Sequence, residues 1–233
     1  MRIPFRLFLL AGLLCSHAGS FAQQAEKQYP TLSTDNNTKG KYTLIFINKD
    51  TALDAVVKKR LTDAFFTVYP KEAETYNKKT SKKVTFIIDP AYDGVAATGG
   101  DVVRYNPEWF HKHPGDIDVV THEVMHIVQA YGDTDAPGWL TEGIADYVRY
   151  KFGVDNTGAG WKLSDYNPKQ NYDNSYRITA RLFVWIEKHY DKHFVKQLDD
   201  VMRRHTYTDE FAGKHTGKTF MQLWEEYGKN PAI

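Results

Sequence analysis

The sequence predicts an α+β fold: a small N-terminal mixed sheet, a central helix and a mostly helical C-terminal half. Three observations predict it. β-rich runs and one amphipathic helix fill the N-terminal part, Gly115–Tyr131 is a helix apolar on most of its circumference, and almost every patterned segment beyond Trp139 has helical spacing. Strands gathered at one end and helices at the other argue against a regular βαβ alternation.

The first residues read as a leader rather than as fold. Arg2 and Arg6 precede an apolar run from Leu7 to Leu14, and the small residues Ser20 and Ala22 follow. That is a secretory signal peptide over 1–22, expected to be cut after Ala22, so the protein is expected outside the cell or in the periplasm. The run falls short of the roughly 20 apolar residues a spanning helix needs, so no membrane anchor is expected. Bulky Leu14 before Cys15 also argues against a lipid-modified cysteine. Cys15 is the only cysteine, so the mature chain has no disulfide and must stand on a hydrophobic core, or on a core plus a metal. The formal net charge is +1, and losing Arg2 and Arg6 makes it −1. Such balance gives no electrostatic reason to expect nucleic acid or anionic membrane as a partner.

Residues 23–40 are polar and read as a flexible linker, leaving 41–233 as one domain. Tyr42–Asn48 and Lys82–Asp89 are strands rich in Ile, Val, Phe and Thr. Leu53–Tyr69 between them places Val56, Val57, Leu61, Ala64, Phe65 and Val68 at helical spacing. Gly94–Gly100 reads as loop, and Asp101–Tyr105 as a short third strand. His111 and His113 fall in a loop before the central helix, whose start Asp116 and Asp118 would favour through the helix dipole. A turn over Gly132–Pro137 leads to a helix at Trp139–Phe152. After a Gly-, Asn- and Asp-rich loop, Gly153–Asn174, three more helices are expected at Ser175–Tyr190, Phe194–Arg204 and Thr219–Tyr227. No internal repeat or assembly heptad is visible, and a monomer is expected.

The chemistry concentrates in His122-Glu123-Val124-Met125-His126. Side chains four apart lie one above the other on a helix, so the two imidazoles can grip one metal ion, with Glu123 beside it as general base. A catalytic zinc site takes three protein ligands and keeps a position for water. The third is expected downstream, where Glu142 and Asp146 share a helix face; Glu142 is assigned to one zinc ion with His122 and His126. Asp146 is expected to accept from the far ring nitrogen of His122 and so orient it. This order resembles the gluzincins, the thermolysin-like metallopeptidases, in which a Glu-x-x-x-Asp helix follows the His-Glu-x-x-His helix. A third histidine six residues after the second is absent, since that position is Gly132. Tyr176, opening the first helix after the loop, is the chosen donor to the developing oxyanion, ahead of Arg181 and Tyr172. Within Thr98–Asn106, Val102–Tyr105, with Val102 and Arg104, is placed as a cleft-edge strand that pairs with substrate backbone.

Plainer readings compete with each assignment. His189 and His193 also stand four apart, but no glutamate follows the first and charged residues surround them, so they read as solvated. Glu142 and Asp146 could pair with Arg149 or Lys151, and Val102–Tyr105 could be an ordinary strand. Jointly, a base and three ligands in the right order are hard to obtain by chance.

The run Thr121–Gly153, THEVMHIVQAYGDTDAPGWLTEGIADYVRYKFG, resembles the basic secretory protein family, secreted zinc peptidases of plants and bacteria. Gln129 and Glu142–Arg149 carry the likeness, joined by Tyr176–Arg181 and by Leu223, Trp224 and Tyr227. The resemblance implies a zincin with His122, His126 and Glu142 on zinc, adds weight to Tyr176, and brings Gln129 in as a residue of the substrate site. The near-neutral charge departs from the family's basic character. A zinc-dependent peptidase acting on peptides or proteins is the leading expectation. The alternatives are a catalytically idle zincin serving as a binding or defence module, and a zinc hydrolase of non-peptide amides. Glu123 argues against the idle form, since a structural site needs no base.

Overall fold

A computed structural model describes residues 28–233, so the expected leader and its cleavage point lie outside the described residues. In chain order the elements are β1 (Ser33–Lys39), β2 (Tyr42–Asn48), α1 (Ala55–Thr75), β3 (Lys83–Ile88), β4 (Ala96–Gly99), β5 (Val102–Tyr105), α2 (Pro107–Lys112), α3 (Val119–Gln129), α4 (Gly138–Phe152), α5 (Tyr176–His189), α6 (Phe194–Arg203), α7 (Phe211–Thr216) and α8 (Phe220–Lys229). The fold is the expected α+β arrangement, with the sheet N-terminal and the helices after it.

The strands form one mixed sheet in the order β1-β2-β3-β5-β4. β2, β3 and β5 run parallel, whereas β1 and β4 are antiparallel to their neighbours. Period-two alternation buries one face: Tyr42, Leu44 and Phe46 of β2, Val84, Phe86 and Ile88 of β3, Val103 and Tyr105 of β5. Phe86 stands edge-on to Phe65 of α1 and to Tyr105, at centroid distances of 5.6 and 5.1 Å. α1 packs on that face and against α3, which is buried along its whole length apart from half-buried His126. α4 then packs between α3 and α5.

Several boundaries differ from expectation, each for a physical reason. Ser33–Lys39, placed in the linker, is instead a strand: STDNNTK has no apolar alternation, and its pairing is imposed by β2 through a two-residue turn with Gly40 at φ 59°. Ala96–Gly99, placed in a loop, is β4, an edge strand recruited by β5. α1 runs through Pro70 because Phe65, Val68, Tyr69 and Ala73 are all buried, and several such side chains, at about 1.5–3 kcal/mol each, offset the roughly 3 kcal/mol a helical proline costs. Residues 107–112 form a short helix where a loop was expected, with Pro107 in its first turn and Asn106 capping the Glu108 amide at 2.9 Å. α3 begins at Val119 rather than Gly115. Asp118 does not cap it; its carboxylate accepts from the Val154 and Asp155 amides at 2.6 and 2.5 Å, tying the start of α3 to the loop after α4. α7 was not foreseen.

Glu72 is an oddity of α1. It is fully buried, and neither carboxyl oxygen has a hydrogen-bond partner among the described residues. Burial pushes its pKa well above the ordinary carboxylate value, against a weaker opposing pull from His122. A raised carboxyl stabilises the fold below its unfolded pKa and loses that contribution as pH climbs through its folded pKa. Glu72→Gln is therefore expected to match the parent's melting temperature near pH 4, below the unfolded pKa, and to exceed it at pH 8, a difference thermal melts at the two pH values will read.

Candidate metal centre

α3 and α4 bring together the residues expected at the site. His122 and His126 lie one turn apart on α3 with perpendicular rings, centroids 4.9 Å apart. Their Nε2 atoms are 3.2 Å apart, and Glu142 Oε2 of α4 lies 3.1 Å from His122 Nε2 and 3.6 Å from His126 Nε2. Among the described residues this is the group of three whose ligand atoms converge tightly enough to hold one metal ion. Ligands on a tetrahedral ion at Zn–N of 2.0–2.1 Å are about 3.3 Å apart, so this triangle fits zinc without rearrangement. The donor set, two imidazoles and a carboxylate, also suits it.

The outer ring nitrogens are held as firmly. His122 Nδ1 meets Asp146 Oδ1 at 2.7 Å, the partner expected from the sequence. His126 Nδ1 meets Gln129 Oε1 at 2.7 Å, and Gln129 Nε2 donates to the Thr141 carbonyl at 2.9 Å. Gln129, expected among the substrate-binding residues, borders the groove but is only 1% exposed, and its side chain steers His126. Its position three residues after His126 on one helix carried that signal. Both clamps leave Nε2 pointing inward, the orientation a metal requires.

The electrostatics favour a cation. Glu123, Glu142 and Asp146 surround the two imidazoles. Burial alone would keep His122 uncharged, but hydrogen bonds to Asp146 and Glu142 and the nearby carboxylates reverse that and raise its pKa to about 10. Glu142 is pulled the other way: burial opposes ionisation, yet the two histidines hold its carboxyl well below the usual range.

Glu123 lies beside this triangle and is buried. Thr98 of β4 donates to Glu123 Oε2 at 2.7 Å and lies 3.0 Å from the Glu123 carbonyl oxygen. Thr98 opens the stretch expected at the cleft edge, but nothing in the sequence tied it to Glu123, 25 positions away.

Tyr176 opens α5 with its ring nearly parallel to His122 at 6.1 Å, and it is 53% exposed. Ser175 and Tyr176 both adopt positive φ, 69° and 48°, a conformation non-glycine residues rarely hold. The other candidates lie elsewhere. Tyr172 stacks on Phe220, and Arg181 donates to the Tyr227 hydroxyl and the Pro231 carbonyl. Val102 and Arg104 are corrected. β5 is paired on both sides and so is not an edge, and Arg104 is bound to Asp89 at 2.8 Å. The edge belongs to β4. His189 and His193 are exposed, as expected. Arg149 pairs with Asp116, not with Glu142 or Asp146.

These side chains line one open groove of about 1340 Å³, bordered by Thr98 and its β4 neighbours, His122, Glu123, His126, Glu142 and Tyr176. Fold and site together have the layout of a zincin. The sequence profile of the BSP family, described as a peptidase of plants and bacteria, matches residues 31–227. The chain belongs to this family. No curated protein matches it. Among solved structures it is similar to a mutant two-domain M1 zinc metallopeptidase bound to L-tryptophan, at 12% identity and a TM-score of 0.52, over 86% of this chain and 52% of the other. The M1 zinc metallopeptidase of Deinococcus radiodurans is also similar, at 14% identity, a TM-score of 0.47 and the same coverage. The chain thus spans about half the length of the structures it matches.

Replacing a clamp should loosen the triangle without removing a ligand. Asp146→Ala and Gln129→Ala are each expected to weaken zinc affinity by about 10–100-fold. Competition titration against a chromogenic chelator measures this.

Proposed function

We propose that this protein is an exported zinc-dependent peptidase in which His122, His126 and Glu142 hold one zinc ion and Glu123 is the general base. The convergence of those three ligand atoms beside Glu123, in an open groove, carries the reading. A zinc ion held there would acidify a water molecule and polarise a carbonyl.

The chain's own residues supply the rest. Glu123 takes a proton from the attacking water and returns it to the leaving amine, and the Thr98 hydroxyl fixes which oxygen faces the groove. Asp146 and Gln129 keep the imidazoles in their tautomers and angles. Tyr176 donates to the oxyanion from the α5 side. Substrate backbone adds to the outer edge of β4, whose Ala96, Ala97, Thr98 and Gly99 are small enough to let another chain approach. Substrates are peptides or proteins, and the leader over residues 1–22 directs export. Among the described residues no helix is long and apolar enough to cross a membrane.

Glu123→Gln is expected to retain zinc but to lose peptide hydrolysis by about 10²–10⁴-fold. Metal analysis and a protease assay before and after chelation decide it; full activity in Glu123→Gln, or activity indifferent to chelation, overturns the assignment. Tyr176→Phe is expected to lower kcat by about 10²-fold with KM little changed. N-terminal sequencing of the exported protein should begin at Gln23.

A further inference from the structure

One end of the groove takes no part in that mechanism. Trp109 of α2 and Trp161 of the loop after α4 both line it and are both half-buried. Each is tied to a shared ion pair. The Trp109 indole N–H donates to Asp116 Oδ2 at 3.0 Å, Asp116 Oδ1 meets Arg149 Nη2, and the Arg149 guanidinium lies 4.5 Å from the centre of the Trp161 ring. Arg149 Nε further donates to Asn156 Oδ1 at 3.2 Å.

That pair is buried, with Arg149 and Asp116 only 5% and 8% exposed. Its charges cancel, and its polar atoms are engaged with each other, with Asn156 and with the Trp109 indole. This end of the wall therefore presents mainly indole surface with Val119 and Ala159, beside the self-neutralised Asp116–Arg149 pair and His113, whose ring packs 4.2 Å from that of Trp109. The ion pair also limits movement of the rings, since displacing either would uncover a buried charge.

We propose that this end of the groove is an apolar subsite that receives an aromatic or large aliphatic side chain of the peptide substrate, with Trp109 and Trp161 as its walls. The proposal rests on the peptidase reading and names its substrate class. An aromatic side chain brings about 150–250 Å² of surface to bury and suits rings that stack or meet edge to face. A charged side chain would give up its hydration against a pair that is already neutral.

Three measurements test it. Zinc-loaded protein acting on a mixed-sequence peptide library should cleave with Phe, Tyr, Trp, Leu or Met enriched at one position next to the cut. Trp161→Ala should lower kcat/KM for a Phe-containing peptide by about tenfold or more while changing its Ala analogue by less than about twofold. Trp161→Phe, which keeps a ring over Arg149, should retain most of the preference and guards against loss of fold. A flat profile, or an equal loss on both peptides, overturns the subsite, as does preference for a Glu peptide. Binding to the Glu123→Gln protein is read separately: the Phe peptide should bind about tenfold tighter than its Ala analogue, and Trp161→Ala should erase the difference. Equal binding overturns the subsite whatever the activity. Selective binding with no hydrolysis by zinc-loaded wild type overturns the peptidase reading and leaves the subsite standing.

Discussion

The contact between α3 and α4 is the constraint on which the site depends. Besides the Glu142 contacts to the two histidines, two polar bonds cross it, one on each histidine's side: His122 to Asp146, and Gln129, which holds His126, to the Thr141 carbonyl. A slip of α4 by one residue would break both and carry Glu142 off the triangle. α4 is clamped from behind as well. A Cβ on Gly143 would lie 2.4 Å from Thr179 Cγ2 and 3.1 Å from Phe183 of α5, so only glycine lets α5 approach this closely directly behind Glu142. The Glu-Gly pair thus sets a ligand and the packing that aims it.

The same contact explains the charge state of the site. Three carboxylates around two imidazoles draw a proton onto His122 and hold it to about pH 10. A divalent cation held there would compete with that proton for Nε2, so its binding would release the proton and its affinity would be coupled to pH through His122. Asp146 sits on the other nitrogen and serves both states: it stabilises the charged ring and orients the neutral one. The far end of α3 is secured from another direction. Arg203, paired with Asp199 at 2.6 Å, donates to the Tyr76 carbonyl at 2.8 Å and lies within 3.5 Å of the carbonyls that end α3.

The residues legible in the sequence were those whose geometry is local. His122, Glu123 and His126 are fixed relative to one another by helical period alone, as are Glu142 and Asp146. The apolar envelope of α3 announced that the helix would be buried. What escaped was set by long-range pairing. STDNNTK becomes a strand only because β2 presents it with unpaired backbone, and AATG only because β5 does. Asp118 looked like a cap but bonds to amides 36 and 37 residues downstream. The first helix, expected to stop at Tyr69, runs on through Pro70 to Thr75 because Phe65, Tyr69 and Ala73 have a sheet to bury against. Gln129 lay between the two cases, since its spacing from His126 was visible but its burial was not.

The misplaced edge strand changes how substrate and base are related. Were β5 the edge, as first expected, the strand meeting substrate would be Val-Val-Arg-Tyr. With β4 as the edge, the strand that borders the groove is also the one that holds Glu123 through Thr98. A peptide adding to β4 would therefore pack against the strand that fixes the base. Small residues serve both demands at once: they leave room for a second backbone outside, and they let Thr98 reach the carboxylate from within. On the proposed reading, substrate registration and proton transfer are set by one four-residue strand, which couples the alignment of the scissile bond to the aim of Glu123.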